Sequence, residues 1–271
     1  MKFFIKICAK IALGGIISGF FFVSSPSVLS APSPAITLTF DDGWLSQYEY
    51  AGPILEAADQ KATLYLPTGL IGTEGYMSWQ NVVDLVLSGW EMGGHSVTHA
   101  ELPLLTPEEI EQEIQENFAV LESHGLLPSD FASPYGAYDP AIIANIASYF
   151  VSHRGYHDIG FNAWPYNQYF LHVQQITNQT TLVEVEAWIQ EALDNNYWLI
   201  IVFHEILPEV EPEDTYSWTT ENLEALMAAL DTRGVQTKTV AEVLNMKNSL
   251  FPNTDFESGI ADGWTTDTPA R

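Results

Sequence analysis

Ile36-Thr37-Leu38-Thr39-Phe40-Asp41-Asp42-Gly43 is the stretch on which the reading of this chain turns. Strand alternation places Ile36, Leu38 and Phe40 on one face and Thr37, Thr39 and Asp41 on the other. Gly43 supplies the backbone freedom for a sharp turn. Two adjacent carboxylates therefore stand at the end of an apolar strand, directed apart. Like charges this close repel, and at least one of the two carboxyls is expected to have a raised pKa. A cation held between them and further ligands would relieve the repulsion, which directs attention to the histidines.

Outward from this stretch, strand-like and helix-like segments alternate. Residues 47–60 read as a helix whose regular part begins near Pro53. Residues 62–67 read as a buried strand, 79–87 as a helix capped by Ser78, and 91–96 as a short strand. Thr106-Pro107-Glu108-Glu109 opens a helix reaching about residue 124, with Ile110, Ile114, Phe118 and Leu121 on one stripe. Residues 131–135, 149–154 and 171–176 read as strands, with a helix opening at Asp139-Pro140. An amphipathic helix over 181–194 precedes Trp198-Leu199-Ile200-Ile201-Val202-Phe203, a continuous apolar run of the kind covered on both faces. Helices at 219–231 and 240–244 close the domain. This alternation implies a parallel sheet, and six or seven such units favour a barrel over an open sheet. No glycine-rich phosphate loop follows the first strand, which argues against nucleotide binding.

The chain has 271 residues, 46% of them hydrophobic, enough for one large α/β domain with a full core. Its formal net charge of −26 makes nucleic acid and anionic membrane surfaces poor partners. Lys2, Lys6 and Lys10 precede an apolar run over 11–23 and then a Ser/Pro/Ala stretch, the order of a secretory signal. The run is shorter than the roughly 20 residues of a membrane span. Cleavage is expected after Ala31 or Ala35; Pro32 makes the first awkward, and an uncleaved N-terminal anchor is the alternative. The expected location is secreted or cell-envelope. Cys8, the one cysteine, lies within this segment, so the mature chain would carry neither disulfide nor thiolate ligand. The expected organisation is a signal at 1–31, a catalytic domain at 32–248 and a tail at 249–271.

His95-Ser96-Val97-Thr98-His99 spaces two histidines at i and i+4, which one helical turn would bring to a common face. They follow a strand end, as Asp42 does, and in a parallel α/β fold such ends share one rim. Two histidines and an aspartate, with positions left open for water, suit a catalytic metal site. His204 follows the apolar run 198–203 directly; beside a metal site it reads as a partly buried general acid rather than a core histidine. Phe131-Ala132-Ser133-Pro134-Tyr135-Gly136 marks a further strand end, where the Tyr135 N–H can serve an oxyanion. Taken singly each feature has a plain structural reading, and the weight lies in their combination.

In order and spacing, Thr39-Phe40-Asp41-Asp42-Gly43, the paired histidines, the Pro-Tyr-Gly strand end and the His204 strand end resemble the polysaccharide deacetylases, the NodB-type enzymes of carbohydrate esterase family 4. The resemblance covers about residues 36–244. It implies a distorted, incomplete (β/α) barrel of about seven parallel strands. It implies that Asp41 is the catalytic base, that Asp42, His95 and His99 bind a divalent metal, usually zinc, that Tyr135 lends its N–H to an oxyanion hole, and that His204 is the general acid. The expected activity is removal of N-acetyl groups from peptidoglycan, chitin oligomers or a poly-N-acetylglucosamine. The alternatives are an O-acetyl esterase acting on xylan and a non-catalytic glycan-binding protein.

One departure stands out. Many members carry an arginine in the Pro-Tyr motif where this chain has Ala132, and Arg154 is the candidate to replace it by reaching Asp41. Asp158 and Trp164 are candidates for steadying His204 and lining the pocket. Trp44, Trp79, Trp164 and Trp218 are candidates for stacking on sugar rings. The tail, with Asn253-Thr254-Asp255-Phe256-Glu257-Ser258-Gly259 and then Gly263-Trp264, resembles the opening strand of a carbohydrate-binding β-sandwich module.

Overall fold

The computed structural model describes residues 33–244. The proposed signal segment, Ala31 and the proposed module start at 249–271 lie outside the described residues. Seven parallel strands form a closed barrel in sequential order: β1 (Ala35–Phe40), β2 (Thr63–Leu66), β3 (Glu91–Gly94), β4 (Asp130–Ala132), β5 (Ser152–Ile159), β6 (Leu171–Gln175) and β7 (Trp198–Phe203). The ring is one strand short of a full eightfold barrel. Its closing seam is its most regular contact: β1 pairs with β7 over six residues, from Ala35 opposite Trp198 to Phe40 opposite Phe203. Between β5 and β6 the register shifts from Arg154–Leu171 to Ile159–Val173, and this irregularity distorts the wall.

The helices are α1 (Gly52–Ala57), α2 (Trp79–Leu87), α3 (Pro107–Ser123), α4 (Pro140–Ile146), α5 (Leu182–Asn195), α6 (Thr220–Thr232) and α7 (Val240–Val243). Their starts follow the sequence closely. Ser78, Thr106 and Thr181 each accept the backbone N–H three residues on, and the side chain at that third position answers the cap's own N–H. A π turn, Gln47–Ala51, leads into α1, so the helical path starts before Pro53. A short parallel pair that the sequence did not suggest, β8 (Glu205–Leu207) with β9 (Ser217–Thr219), follows β7.

Three strands differ from their expected extents. β3 stops at Gly94, β4 stops at Ala132 before a 3-10 turn over Pro134–Gly136, and β5 begins at Ser152 and runs to Ile159. The β5 sequence, Ser-His-Arg-Gly-Tyr-His-Asp-Ile, lacks an apolar alternation because both faces carry polar residues, Ser152 and Arg154 on one and His153 and His157 on the other.

Ile36, Leu38 and Phe40 join the large apolar cluster between barrel and helices. Thr37 and Thr39 turn inward: Thr37 Oγ1 accepts from Trp198 Nε1 at 2.8 Å, and Thr39 Oγ1 donates to the Ile201 carbonyl. A smaller apolar cluster of Trp198, Leu171, Val173, Val240 and Val243 fills part of the interior. Beside it runs a polar column: Thr63, Glu91, Asp130, Ser152 and Arg154 are all buried. Gly93 makes room for it, since a Cβ there would stand 2.7 Å from Asp130 Oδ1 and from the Tyr65 ring.

Candidate active site

The C-terminal ends of β1, β3, β4, β5 and β7 meet around a cavity of about 270 Å³ lined by Asp41, Asp42, His95, His99, Tyr135, Tyr156 and His204, among others. Six non-glycine residues among those described have positive φ, and four of them are here: Asp42 (77°), Ser96 (62°), His99 (60°) and Tyr135 (57°). Such backbone is costly for residues with a Cβ and concentrates at sites of function.

Asp42, His95 and His99 offer ligand atoms that all lie within 4.8 Å of one another. Asp42 Oδ1 is 3.0 Å from His99 Nε2 and 3.3 Å from His95 Nε2, yet this buried oxygen makes no hydrogen bond of proper geometry. Asp42 Oδ2 accepts from Trp44 Nε1 at 3.0 Å. His95 Nδ1 donates to the Ala132 carbonyl at 2.7 Å, which leaves Nε2 facing Asp42. Two ring nitrogens converging on one carboxylate oxygen are positioned to share a cation with it, and fixing the far ring nitrogen to a carbonyl is how ligand histidines are oriented. The donor set, two imidazoles and a carboxylate, fits a divalent ion of the zinc type.

The structure corrects two expectations here. The histidines do not share a helical turn; residues 95–99 form a loop, and the positive φ of Ser96 and His99 folds the second ring back onto the first, 4.9 Å between centroids. Nor is the Asp42 carboxyl raised. Burial works to raise it, but contact with His95 and His99 outweighs burial and holds it well below the ordinary carboxylate range.

α3 holds the histidine loop from below. Glu113 Oε2 accepts the N–H groups of Val97 and Thr98, both at 2.8 Å, and Glu113 Oε1 takes the Thr98 hydroxyl at 2.7 Å. Asn117, fully buried, donates to the carbonyls of Leu66 and Ser96. Asn117 had a sequence signal that went unread: it interrupts the apolar stripe between Ile114 and Leu121.

Asp41 faces the barrel interior and forms a buried ion pair with Arg154 Nη2. Arg154 is 1% exposed, sits third in β5 rather than at its end, and lies 4.3 Å above the Tyr65 ring. Burial disfavours its charge, and Asp41 more than offsets this. Gln47, also buried, donates to the carbonyls of both Asp41 and His204, tying the ends of β1 and β7 together.

His204 packs edge-on against Tyr156, with Tyr216 on another side, each 5.3 Å away between centroids. Burial pulls its pKa down, and the Asp41 and Asp42 carboxylates counter that only in part. Asp158 does not steady His204; its Oδ2 accepts the Tyr138 hydroxyl at 2.9 Å. Trp164 packs on Tyr166, and neither is among the cavity residues. Of the other tryptophans, Trp218 is buried in the core, Trp44 stacks on Tyr76 and Trp79 on His124. Tyr135 lines the cavity 4.7 Å from the His99 ring, and its N–H has no partner among the described residues.

Residues 29–152 match the family model described as Polysaccharide deacetylase. That matched stretch is a little under half of the chain, and over it the sequence is similar to this family. An 82-residue stretch is 28% identical to the putative polysaccharide deacetylase YxkH of Bacillus subtilis and covers 30% of this chain but only 29% of that protein. Among solved structures, the Xyl-CE4 domain of a multidomain xylanase from the hindgut metagenome of Trinervitermes trinervoides superposes with a TM-score of 0.57 at 22% identity, over 79% of this chain and 91% of that one. A CE4 family pseudoenzyme from Bacillus anthracis superposes with a TM-score of 0.54 at 16% identity, over 79% and 66% respectively. These likenesses show the fold, and the pseudoenzyme makes plain that the fold does not by itself carry activity.

Proposed function

We propose that this chain is an exported, zinc-dependent deacetylase that removes N-acetyl groups from a polysaccharide. The observation that supports it most is the meeting of three elements around one cavity: the Asp42–His95–His99 trio, the Asp41–Arg154 ion pair and His204. A divalent ion held by the trio would supply Lewis-acid polarisation of the acyl carbonyl and a lowered pKa for water.

The residues of the chain divide the remaining tasks. Arg154 holds Asp41 in place through their ion pair, and Asp41 takes the proton of the attacking water. The Tyr135 N–H donates to the oxyanion that develops as water adds to the acyl carbon. His204 gives a proton to the nitrogen as the C–N bond breaks, so that an amine rather than an amide anion departs. The products are acetate and a free amino sugar. His204 needs its proton before this step, and the Asp41 and Asp42 carboxylates are what draw its pKa upward against burial.

The test is acetate release from a panel of peptidoglycan, chitin oligomers, poly-N-acetylglucosamine and acetylated xylan, with and without chelator and with zinc restored. Acetate with new free amine, lost on chelation and recovered with zinc, is the expected result. Acetate with a free hydroxyl makes the protein an O-acetyl esterase. Tight zinc and glycan binding with no acetate from any substrate makes it a glycan-binding protein.

A further inference from the structure

Among the described residues, three that line the cavity have a buried side-chain atom without a hydrogen-bond partner: Asp42 Oδ1, His204 Nδ1 and the Tyr156 hydroxyl. The first faces the paired imidazoles, and the second belongs to the proposed acid. Tyr156 has no part in anything described so far. It is 7% exposed, so its hydroxyl is withheld from bulk water as well as from the protein. A buried donor in that condition costs stability, and native proteins keep few of them without cause.

Its surroundings narrow the cause. Gly136, which follows Tyr135 in the oxyanion turn, presses directly on Tyr156: a Cβ on Gly136 would stand 2.7 Å from Tyr156 Cβ and 2.6 Å from its backbone nitrogen. On another side the ring is perpendicular to His204, and Tyr216 meets it edge-on at 5.8 Å. Tyr156 therefore stands between the turn that would serve an oxyanion and the group that would protonate the leaving nitrogen. Burial, then Tyr216 and the Asp41 carboxylate, push the phenol well above its usual range, so that it stays protonated. A neutral phenol of this kind gives a hydrogen bond and does not take up a proton.

We propose that Tyr156 is a further catalytic residue, its hydroxyl donating a hydrogen bond to the acyl oxygen of the bound acetyl group beside the Tyr135 N–H. This rests on the acetyl-hydrolase reading above. A donor aimed where negative charge develops gains strength as water adds to the carbonyl, so its effect belongs mainly in kcat.

Tyr156→Phe removes one oxygen and preserves the ring. In the zinc-loaded enzyme it is expected to lower kcat about 100-fold, the scale of losing one oxyanion donor, with KM nearly unchanged. Zinc affinity is expected to stay at the wild-type value and the thermal midpoint at or above it, because no intrachain bond is lost and an unpaired buried hydroxyl is removed. Acetate, used as a probe of the same oxygen position, is expected to bind more weakly to the variant. An active wild type with unchanged kcat in the variant overturns the assignment. So does a rise in KM alone, which would make Tyr156 a sugar-binding donor, and so does a kcat loss that tracks lost zinc or a lowered midpoint. A wild type that releases no acetate from any substrate overturns the hydrolase reading and this assignment with it.

Discussion

The barrel buries two sets of carboxyl groups, one at each end, and the two are in opposite condition. At the C-terminal rim, Asp41 has Arg154 and Asp42 has two imidazoles, and the Asp42 carboxyl is held well below its usual range. At the N-terminal end, Glu91 and Asp130 lie side by side, and neither forms an ion pair with a cation among the described residues. Glu91 accepts from Thr63 Oγ1, Ser129 Oγ and the Ala241 N–H, and Asp130 from Ser129 Oγ. Burial pushes both upward, with mutual repulsion adding most to Glu91, so the pair keeps a proton between them. Residue type is the same at both ends. What differs is the company: cationic or ligand-binding partners make a set that wants to be charged, and neutral donors make one that stores a proton.

The strongest break in this contrast is to neutralise the rim. Asp41→Asn keeps the shape and removes the proposed proton acceptor, so acetate release is expected to fall about 10³-fold, within the range for a general base. An activity near wild type would remove Asp41 from the mechanism.

Arg154→Met tests the rim from its cationic side. It strands Asp41 as a buried carboxylate, at a cost of about 3–5 kcal/mol in urea unfolding. Acetate release is expected to drop about 10–100-fold as Asp41 loses its aim. Arg154→Lys is expected to recover part of the stability but less of the rate, because an ammonium has no planar fork. Full activity in the methionine variant would mean that the ion pair serves stability alone.

A smaller effect sharpens the comparison through pH. A carboxyl with a lowered folded pKa lends stability above its unfolded value, near 4, and this is lost as pH falls. Asp42 is of this kind in metal-free protein. A carboxyl with a raised folded pKa does the reverse: its contribution is fullest below the unfolded value, near 4.3 for glutamate, and is lost as pH rises toward the folded one. Glu91 is of this kind. Glu91→Gln supplies the neutral form permanently. It is expected to leave stability near pH 4 within about 0.5 kcal/mol of wild type and raise it by about 1 kcal/mol near pH 8, with catalysis unaltered. Urea melts at both pH values decide this, and a loss that is larger at pH 8 than at pH 4 would show that a charged Glu91 is needed.

Legibility in the sequence follows a similar divide. β1 and β7 were readable because one has a strict alternation and the other a continuous apolar run, both set by burial against helices. The cap boxes were readable because they are local. β5 was readable only in part, over 152–154 of its residues 152–159, since polar side chains on both of its faces leave no period-two signal in hydrophobicity. The residues of the cavity were mostly visible as types at strand ends, whereas their arrangement was not: left-handed backbone at Asp42, Ser96 and His99 depends on tertiary contacts such as the Glu113 and Asn117 bonds. Pairings across the barrel also escaped, as with Asp158, taken by Tyr138. Arg154 was anticipated from an absence, Ala132, and the ion pair with Asp41 is present.

Gln47 clasps the carbonyls of Asp41 and His204, and those residues end the first and the last staves of the ring. The cavity is thus split along the seam where the chain meets itself. During synthesis the proposed base and the proposed ion-binding trio emerge early, and the proposed acid only after most of the domain has been made. A half-finished chain therefore lacks half of the proposed site, which is complete only on closure of the cylinder.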